Sequence, residues 1–125
     1  MIPALCIHCE TPCRLATGKE IYAHRPDLYS LYFWKCQRCP DAFVGCHRTG
    51  DGKNALGTAA DPDLRKARSA AHAAFDPSWK TGKYNRSTAY AILATGIGIH
   101  PAKCHISMMN MAECARVIRF CETWM

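Results

Sequence analysis

Four cysteines near the start of the sequence form two pairs, each with two residues between its members. A stretch of 26 residues separates the pairs. One C-x-x-C pair alone is also typical of a redox dithiol, but two such hooks supply the four thiolates of a tetrahedral structural zinc site. Four thiolates leave no position for water, which disfavours catalytic zinc. The sequence therefore predicts one structural Zn²⁺ ion, bound by Cys6, Cys9, Cys36 and Cys39.

Five cysteines lie outside these pairs. Cys114 and Cys121 fall on the apolar side of the last predicted helix, where free cysteine behaves as a small hydrophobic residue. The pair Cys104-His105 lacks a second hook of suitable spacing, so we expect no second zinc ion. Two alternatives are left open. A second metal site could use Cys46, His47, Cys104 or His105, and Cys46 and His47 could exchange into the first site if Cys36 or Cys39 were not a ligand.

The length and composition are those of one folded domain. The chain has 125 residues, of which 49% are hydrophobic and 21% are charged. No apolar run approaches the roughly 20 residues of a membrane-spanning helix, and Met1–Leu5 is too short for the apolar region of a signal peptide. An odd number of cysteines without a secretion signal favours thiols in a reducing compartment. We therefore expect no membrane partner and a cytoplasmic location.

The basic charge is unevenly distributed. Four thiolates around Zn²⁺ carry a net charge of −2, which lowers the formal charge of +6 to +4. Residues 1–57 hold seven Lys or Arg against five Asp or Glu, so with the metal site this part is close to neutral. Residues 58–100 hold six basic and three acidic residues. An electrostatic binding surface is therefore expected between Arg65 and Arg86.

A Gly-rich stretch, residues 49–57, divides the chain into two parts of different composition. Before it, aromatic and β-branched residues accompany the cysteine pairs and predict short strands. After it, the apolar residues recur at helical spacing. The residues that favour strands are Ile21, Tyr22, Leu31, Tyr32, Phe33 and Trp34.

The first two predicted helices follow this stretch. Asp61 can cap a helix whose first position is Pro62. A second helix should follow Asn85 or Ser87 and end at Gly96, with Tyr90 and Leu93 as its apolar contacts. The buried face predicted for the first helix consists of Leu64, Ala67, Ala71 and Phe75.

A third helix begins at Asn110, because Glu113 three residues later completes the pattern of a capping box. Its predicted core face is Met111, Cys114, Val117, Ile118 and Cys121. Together these patterns predict an α+β fold, with an N-terminal zinc ribbon, residues 1–57, packed against about three C-terminal helices, residues 58–125, in one compact unit.

No motif that reports a reaction class is present. The only candidates for acid or base chemistry are His47, His72, Asp76 and His105, and nothing in the sequence fixes their mutual geometry. His72 and Asp76 are one helical turn apart, a spacing more typical of a surface contact than of a catalytic pair. We therefore expect a non-enzymatic protein.

The ribbon interleaves aromatic and basic side chains, a mixture that can stack bases and hold phosphates. Basic residues also cluster on the first predicted helix and could contact phosphates. Both patterns have an ordinary structural explanation, as core aromatics and as a solvated helix face. If the chain binds DNA or RNA, the preferred contact residues are Tyr32, Arg38, Arg65, Lys66 and Arg68.

Several segments resemble a small phage and prophage family described as zinc-finger-containing and of unknown function. The resemblance covers about residues 6–121. It is carried by the first hook, by Phe43-Val44-Gly45-Cys46-His47, by Leu56-Gly57-Thr58, by Leu64-Arg65-Lys66-Ala67-Arg68, by Ala71-His72-Ala73-Ala74-Phe75-Asp76-Pro77 with Trp79, and by Cys104-His105-Ile106.

This resemblance implies a bound metal and a phage protein in the host bacterial cytosol, without an activity. The hooks also resemble zinc ribbons appended to bacterial topoisomerases, which bind single-stranded DNA. We therefore expect a zinc-ribbon accessory protein that binds DNA or RNA. The alternative is a modulator of a host protein, such as a defence complex, nuclease or polymerase.

Overall fold

The computed structural model describes residues 1–124. The chain forms two units, the first spanning Met1–Pro62 and the second beginning at Asp63. The first contains a small sheet and the cysteine pairs, and the second is helical. The predicted α+β class is confirmed.

The sheet has three antiparallel strands in the order β1-β2-β3. The strands are β1, Arg14–Thr17; β2, Tyr32–Lys35; and β3, Phe43–Gly45. Trp34 of the central strand pairs with Leu15 on one side and Val44 on the other. Trp34 and Val44 are buried among small residues and cysteines, so the core of this unit lies directly beside the hooks.

A short helix, α1, Gly18–Ile21, follows β1, and a 3₁₀ turn, Pro26–Leu28, precedes β2. The strand predicted around Ile21 and Tyr22 is therefore wrong. Gly18, the first residue of α1, donates its N–H to the carbonyl of Leu31 at 2.8 Å, which continues the pairing of β1 with β2. A Cβ at Gly18 would lie 1.7 Å from the backbone oxygen of Leu28, so only glycine permits this close approach.

The segment after β3 folds back on the sheet as a loop, residues 46–56, called here the 46–56 loop. Leu56 donates its N–H to the carbonyl of Gly45, and His47 donates to that of Asn54. The indole Nε1 of Trp34 donates to the carbonyl of Lys53 at 2.8 Å. These bonds fix the loop against β2 and β3.

Residues 62–124 form four α-helices. They are α2, Pro62–Phe75; α3, Pro77–Lys80; α4, Arg86–Ile97; and α5, Met111–Trp124. The three longer ones correspond to the predicted helices, and α3 is an additional single turn. None of the helices within residues 1–124 is both long and apolar enough to cross a membrane.

Helix α4 begins as predicted and ends later than predicted. The side chain of Asn85 accepts a hydrogen bond from the N–H of Thr88, which caps the helix start. The helix passes through Gly96 and stops at Gly98, whose φ of 72° is left-handed. Gly96 instead makes room for a ring of α5, since a Cβ there would lie 2.2 Å from Phe120.

Helix α5 has the predicted capping box. Asn110 accepts from the N–H of Glu113 at 2.9 Å, and the Glu113 carboxylate accepts from the N–H of Asn110 at 3.0 Å. Met111 is exposed in the first turn, so its predicted place in the core is wrong. The buried residues of this helix are Cys114, Val117 and Cys121.

Candidate metal centre and nucleic-acid interface

The structure brings the four predicted zinc ligands together. The Sγ atoms of these cysteines all lie within 4.8 Å of one another, and those of Cys9 and Cys36 are 3.5 Å apart. Zn–S bonds of about 2.3 Å in a tetrahedron separate the sulfur atoms by about 3.8 Å. The donor set and its spacing therefore fit one Zn²⁺ ion. The ligands would be Cys6, Cys9, Cys36 and Cys39.

The first hook is closed by its own backbone. The N–H of Glu10 donates to the carbonyl of Cys6 at 2.8 Å, and the N–H of Cys6 donates to the carbonyl of Thr11 at 3.1 Å. This reversal needs a left-handed residue directly after Cys9, and Glu10 adopts it with φ of 60°. The site thus holds a side-chain-bearing residue in a conformation that favours glycine.

The second hook directs backbone N–H groups at a sulfur atom. Cys39 and Arg38 donate to the Sγ of Cys36 at 3.2 and 3.4 Å. The N–H of Cys36 donates to the carbonyl of Ala42 at 2.9 Å, which closes the turn. Donors aimed at a sulfur atom stabilise its thiolate, the form that binds metal.

The surroundings of the cysteines give their thiols different pKa values. Hydrogen bonds from the side chain and backbone of Thr11 lower the pKa of Cys9 to about 6. The hydrogen bond with Cys9, and then burial, raise the pKa of Cys39 to about 12. Burial raises the pKa of Cys6. Without metal, Cys9 is a thiolate at neutral pH while Cys6 and Cys39 are thiols that must lose protons to bind zinc.

The residues considered for a second metal site do not converge as the four zinc ligands do. Within residues 1–124, no other three His, Cys, Asp or Glu side chains converge at metal-binding distance. Cys46 is half-buried and His47 exposed, both in the first unit, while Cys104 of the second unit is buried. Burial raises the pKa of Cys104, as it does for a structural thiol.

His72 of α2 does meet Asp76, which directly follows the helix, at 3.3 Å between Nδ1 and Oδ1. The same carboxylate accepts a hydrogen bond from the indole N–H of Trp79 and lies 3.9 Å from the Nζ of Lys80. The Asp76 carboxylate thus joins α2 to α3 through side chains on adjacent turns.

Arg68 does not belong to an exposed basic face, and its prediction as a phosphate contact is wrong. It is 7% exposed, and its Nε donates to the carbonyl of Met109 at 3.0 Å. Burial lowers the pKa of its guanidinium. It takes the buried position that was predicted for Ala67, which is only half-buried. Lys66 is exposed, and Arg65 is half-buried.

Most ribbon aromatics serve the fold. Trp34 and Phe33 are buried, and Tyr22 packs edge-on against Phe33 with ring centroids 5.6 Å apart. Tyr29 donates its hydroxyl hydrogen to the carbonyl of Ala23. Tyr32 differs from these, because it is half-buried and the Nζ of Lys53 lies 5.0 Å from its ring centroid.

A groove of about 580 Å³ opens between β2, β3 and the 46–56 loop. We call it the ribbon groove. Its lining combines aromatic rings, basic side chains and apolar side chains. Of the predicted binding residues it includes Tyr32, whereas Arg38 is exposed at the second hook. The lining residues that carry the argument below are Tyr22, Arg25, Tyr32, Gly45, His47, Arg48 and Leu56.

The predictions from sequence did not place His47, Arg48 and Leu56 together in a groove, where the structure has them. They belong to the Gly-rich loop, whose return onto the sheet depends on contacts distant in sequence, such as the bond between Trp34 and Lys53. The signal in the sequence for this loop was the pair of glycines Gly50 and Gly52 among basic residues. Both glycines have a positive φ in the structure.

Comparison with known proteins agrees with the metal centre. Residues 2–123 match a family described as a zinc-finger-containing domain. No curated protein and no solved structure matches the chain. The family match and the four converging cysteines together support one structural zinc ion, as predicted. Because the match spans nearly the whole sequence, the chain belongs to the family of zinc-finger-containing domains.

Proposed function

We propose that this protein is a non-enzymatic, phage-derived accessory protein that binds nucleic acid through the ribbon groove in the bacterial cytosol. The observation that carries the proposal is the lining of the groove. Tyr22 and Tyr32 present aromatic surface in the same concavity as Arg25, His47 and Arg48. Aromatic rings beside cations are the combination that binds bases together with their phosphates.

The lining of the groove carries two arginines against one carboxylate, a net charge of +1 before the pairing of Arg25 is counted. Arg25 pairs with Asp27 through two hydrogen bonds of 2.9 and 2.7 Å, which holds its guanidinium in place while leaving it exposed. Arg48 is exposed on the opposite, loop side, and Asp51 is the acidic residue of the lining. Phosphates would contact the two arginines and release bound counterions, so affinity should fall as salt rises.

Zinc supports this surface indirectly. Strand β2 begins at Tyr32 in the groove and ends at Lys35, directly before the ligand Cys36, so the metal would fix the far end of the strand that carries Tyr32. Structural zinc supplies on the order of 10 kcal/mol of folding free energy in small metal-bound domains. Loss of zinc should therefore remove binding by unfolding the ribbon.

Three basic residues outside the groove, one in the first unit and two in the second, also belong to the proposal. Arg38 stands exposed beside the metal, and Lys66 is exposed with Arg65 on α2. They are proposed as additional phosphate contacts. Arg68 is excluded because its guanidinium is buried.

A second candidate function is binding of a host protein, such as a defence complex, a nuclease or a polymerase. One observation favours it. Leu56 is 46% exposed in the groove, where Leu28 and Leu31 also lie. An extended apolar segment of a partner protein could use this part of the lining.

The test is a fluorescence-anisotropy titration of zinc-loaded protein with labelled DNA and RNA, single- and double-stranded, at several salt concentrations. The double variant Arg25→Gln/Arg48→Gln should lower affinity at least about 10-fold and reduce the salt slope by about 1.4 on a single strand. The matched control Arg119→Gln/Lys103→Gln removes two exposed charges of the second unit.

Equal losses in the two double variants would reject the groove as the binding surface. Absence of binding to every nucleic acid at low salt would reject the proposed function. The host-protein alternative would then be tested by crosslinking from a photoreactive group placed at Leu56.

A further inference from the structure

The side chain of Tyr32 is fixed in position without being part of the core. It occupies the first position of β2, opposite Thr17, and is half-buried at the edge of the ribbon groove. Lys53 lies over its ring, and the backbone of Lys53 is fixed on both sides. Its carbonyl accepts from Trp34 and its N–H donates to the carboxylate of Asp51 at 3.0 Å. The ring and its neighbouring cation are therefore positioned before any ligand binds.

The size of the groove suits one nucleotide rather than a duplex. Its volume of about 580 Å³ lies within the roughly 300–1,000 Å³ typical of pockets for small ligands. In a duplex the bases are stacked on one another and show only their edges to a protein. The ring of Tyr32, at the edge of this groove, can meet the face of a base only when that base is unstacked.

Glycine keeps part of this space open. A Cβ added to Gly45 would lie 3.6 Å from Leu56 and 3.9 Å from Phe33, both ordinary contact distances. The backbone would therefore accept a side chain at this position, and a long one would extend into the groove. Gly45 thus offers a way to fill the groove without removing a charge or a zinc ligand.

From this geometry we infer that the ribbon groove binds an unstacked base of a single-stranded nucleic acid, which stacks on the face of the Tyr32 ring opposite Lys53 and places its flanking phosphate near the Lys53 ammonium. The inference rests on the proposed nucleic-acid binding and specifies that the bound nucleic acid is single-stranded. Base stacking on an aromatic ring accepts any base, so little sequence preference is expected.

The test compares a labelled single-stranded 12-mer with a hairpin duplex of the same composition, both titrated with zinc-loaded protein. The wild type should prefer the single strand by at least about 10-fold. Tyr32→Leu should weaken single-strand binding about 10-fold and leave duplex binding and the salt slope unchanged, because it removes the stacking surface but no charge. Tyr32→Phe should retain wild-type affinity.

Gly45→Met should lower single-strand affinity in the same way by filling the groove. Zinc content and thermal unfolding of each variant verify that the ribbon is folded. Salt-sensitive binding that shows no strand preference, or that survives both Tyr32→Leu and Gly45→Met, would overturn the inference while leaving the proposed function standing. Absence of binding to either oligonucleotide would overturn both.

Discussion

The Nε of Arg68 donates a 3.0 Å hydrogen bond to the carbonyl oxygen of Met109, a residue 41 positions away. Both residues are buried, so the bond links the middle of α2 to the segment that precedes α5. A basic residue that the sequence assigns to a binding surface therefore stabilises the helical unit. Its aliphatic stem packs in the core, and its charged group satisfies a buried carbonyl.

Replacement of Arg68 by alanine should destabilise the helical unit by about 2–3 kcal/mol, because the Met109 carbonyl loses its partner and a cavity forms. Urea unfolding followed by helical circular dichroism measures the change. The control Lys66→Ala alters an exposed residue of the same helix and should change stability by less than about 0.5 kcal/mol. Similar losses in the two variants would contradict the structural role of Arg68.

The face of α2 shows the limit of prediction from residue type. The spacing of Leu64, Ala71 and Phe75 predicts the correct helix and most of its buried face. Arg68 completes that face at helical spacing, but a charged residue is excluded from a predicted core unless its buried partner is known. The partner here is a backbone carbonyl, which carries no signal in the sequence.

Glu10 should be replaceable by glycine with a gain in stability. Its φ of 60° costs a residue with a Cβ roughly 1–2 kcal/mol, so Glu10→Gly should stabilise the zinc-loaded ribbon by about 1 kcal/mol. Glu10→Ala also removes the carboxylate but retains the Cβ, so it should bring no such gain. Thermal unfolding distinguishes the two, and an equal effect of both substitutions would argue against backbone strain at this position.

Gly18 should tolerate no side chain. A Cβ would lie 1.7 Å from the oxygen and 2.5 Å from the carbon of the Leu28 carbonyl, which is backbone and cannot rotate away. We expect Gly18→Ala to destabilise the ribbon unit by about 3 kcal/mol. Lys19→Ala, at the adjacent exposed position, is the control and should be nearly neutral. Wild-type stability of Gly18→Ala would show that α1 is placed wrongly.

Zinc binding should release protons, and the pKa values of the thiols determine how zinc affinity changes with pH. The raised pKa values keep Cys6 and Cys39 protonated at neutral pH, so both protons must leave and zinc affinity must rise with pH. Cys9, with a pKa of about 6, adds to this dependence only near and below that pH. Calorimetry at pH 7.4 in buffers of different ionisation enthalpy should count at least two protons per zinc ion, and a smaller count would contradict the assignment.

The metal site and the groove differ in how far the sequence predicts them. Each hook is local, with two cysteines three positions apart, and two hooks together indicate one tetrahedral site. The groove instead depends on the return of the 46–56 loop to β2, through contacts such as that between Trp34 and Lys53. Such non-local pairing decides which aromatic rings are buried, and it leaves Tyr32 at the edge while Trp34 enters the core.

The most direct test of the account is one titration of a labelled single-stranded oligonucleotide, performed with zinc-loaded wild-type protein and with Cys36→Ser, zinc content being measured in both. We expect one zinc ion per wild-type chain and salt-sensitive binding at micromolar affinity or tighter, with loss of zinc and of binding in the variant. Wild-type protein that holds one zinc ion and binds no oligonucleotide at low salt would contradict it.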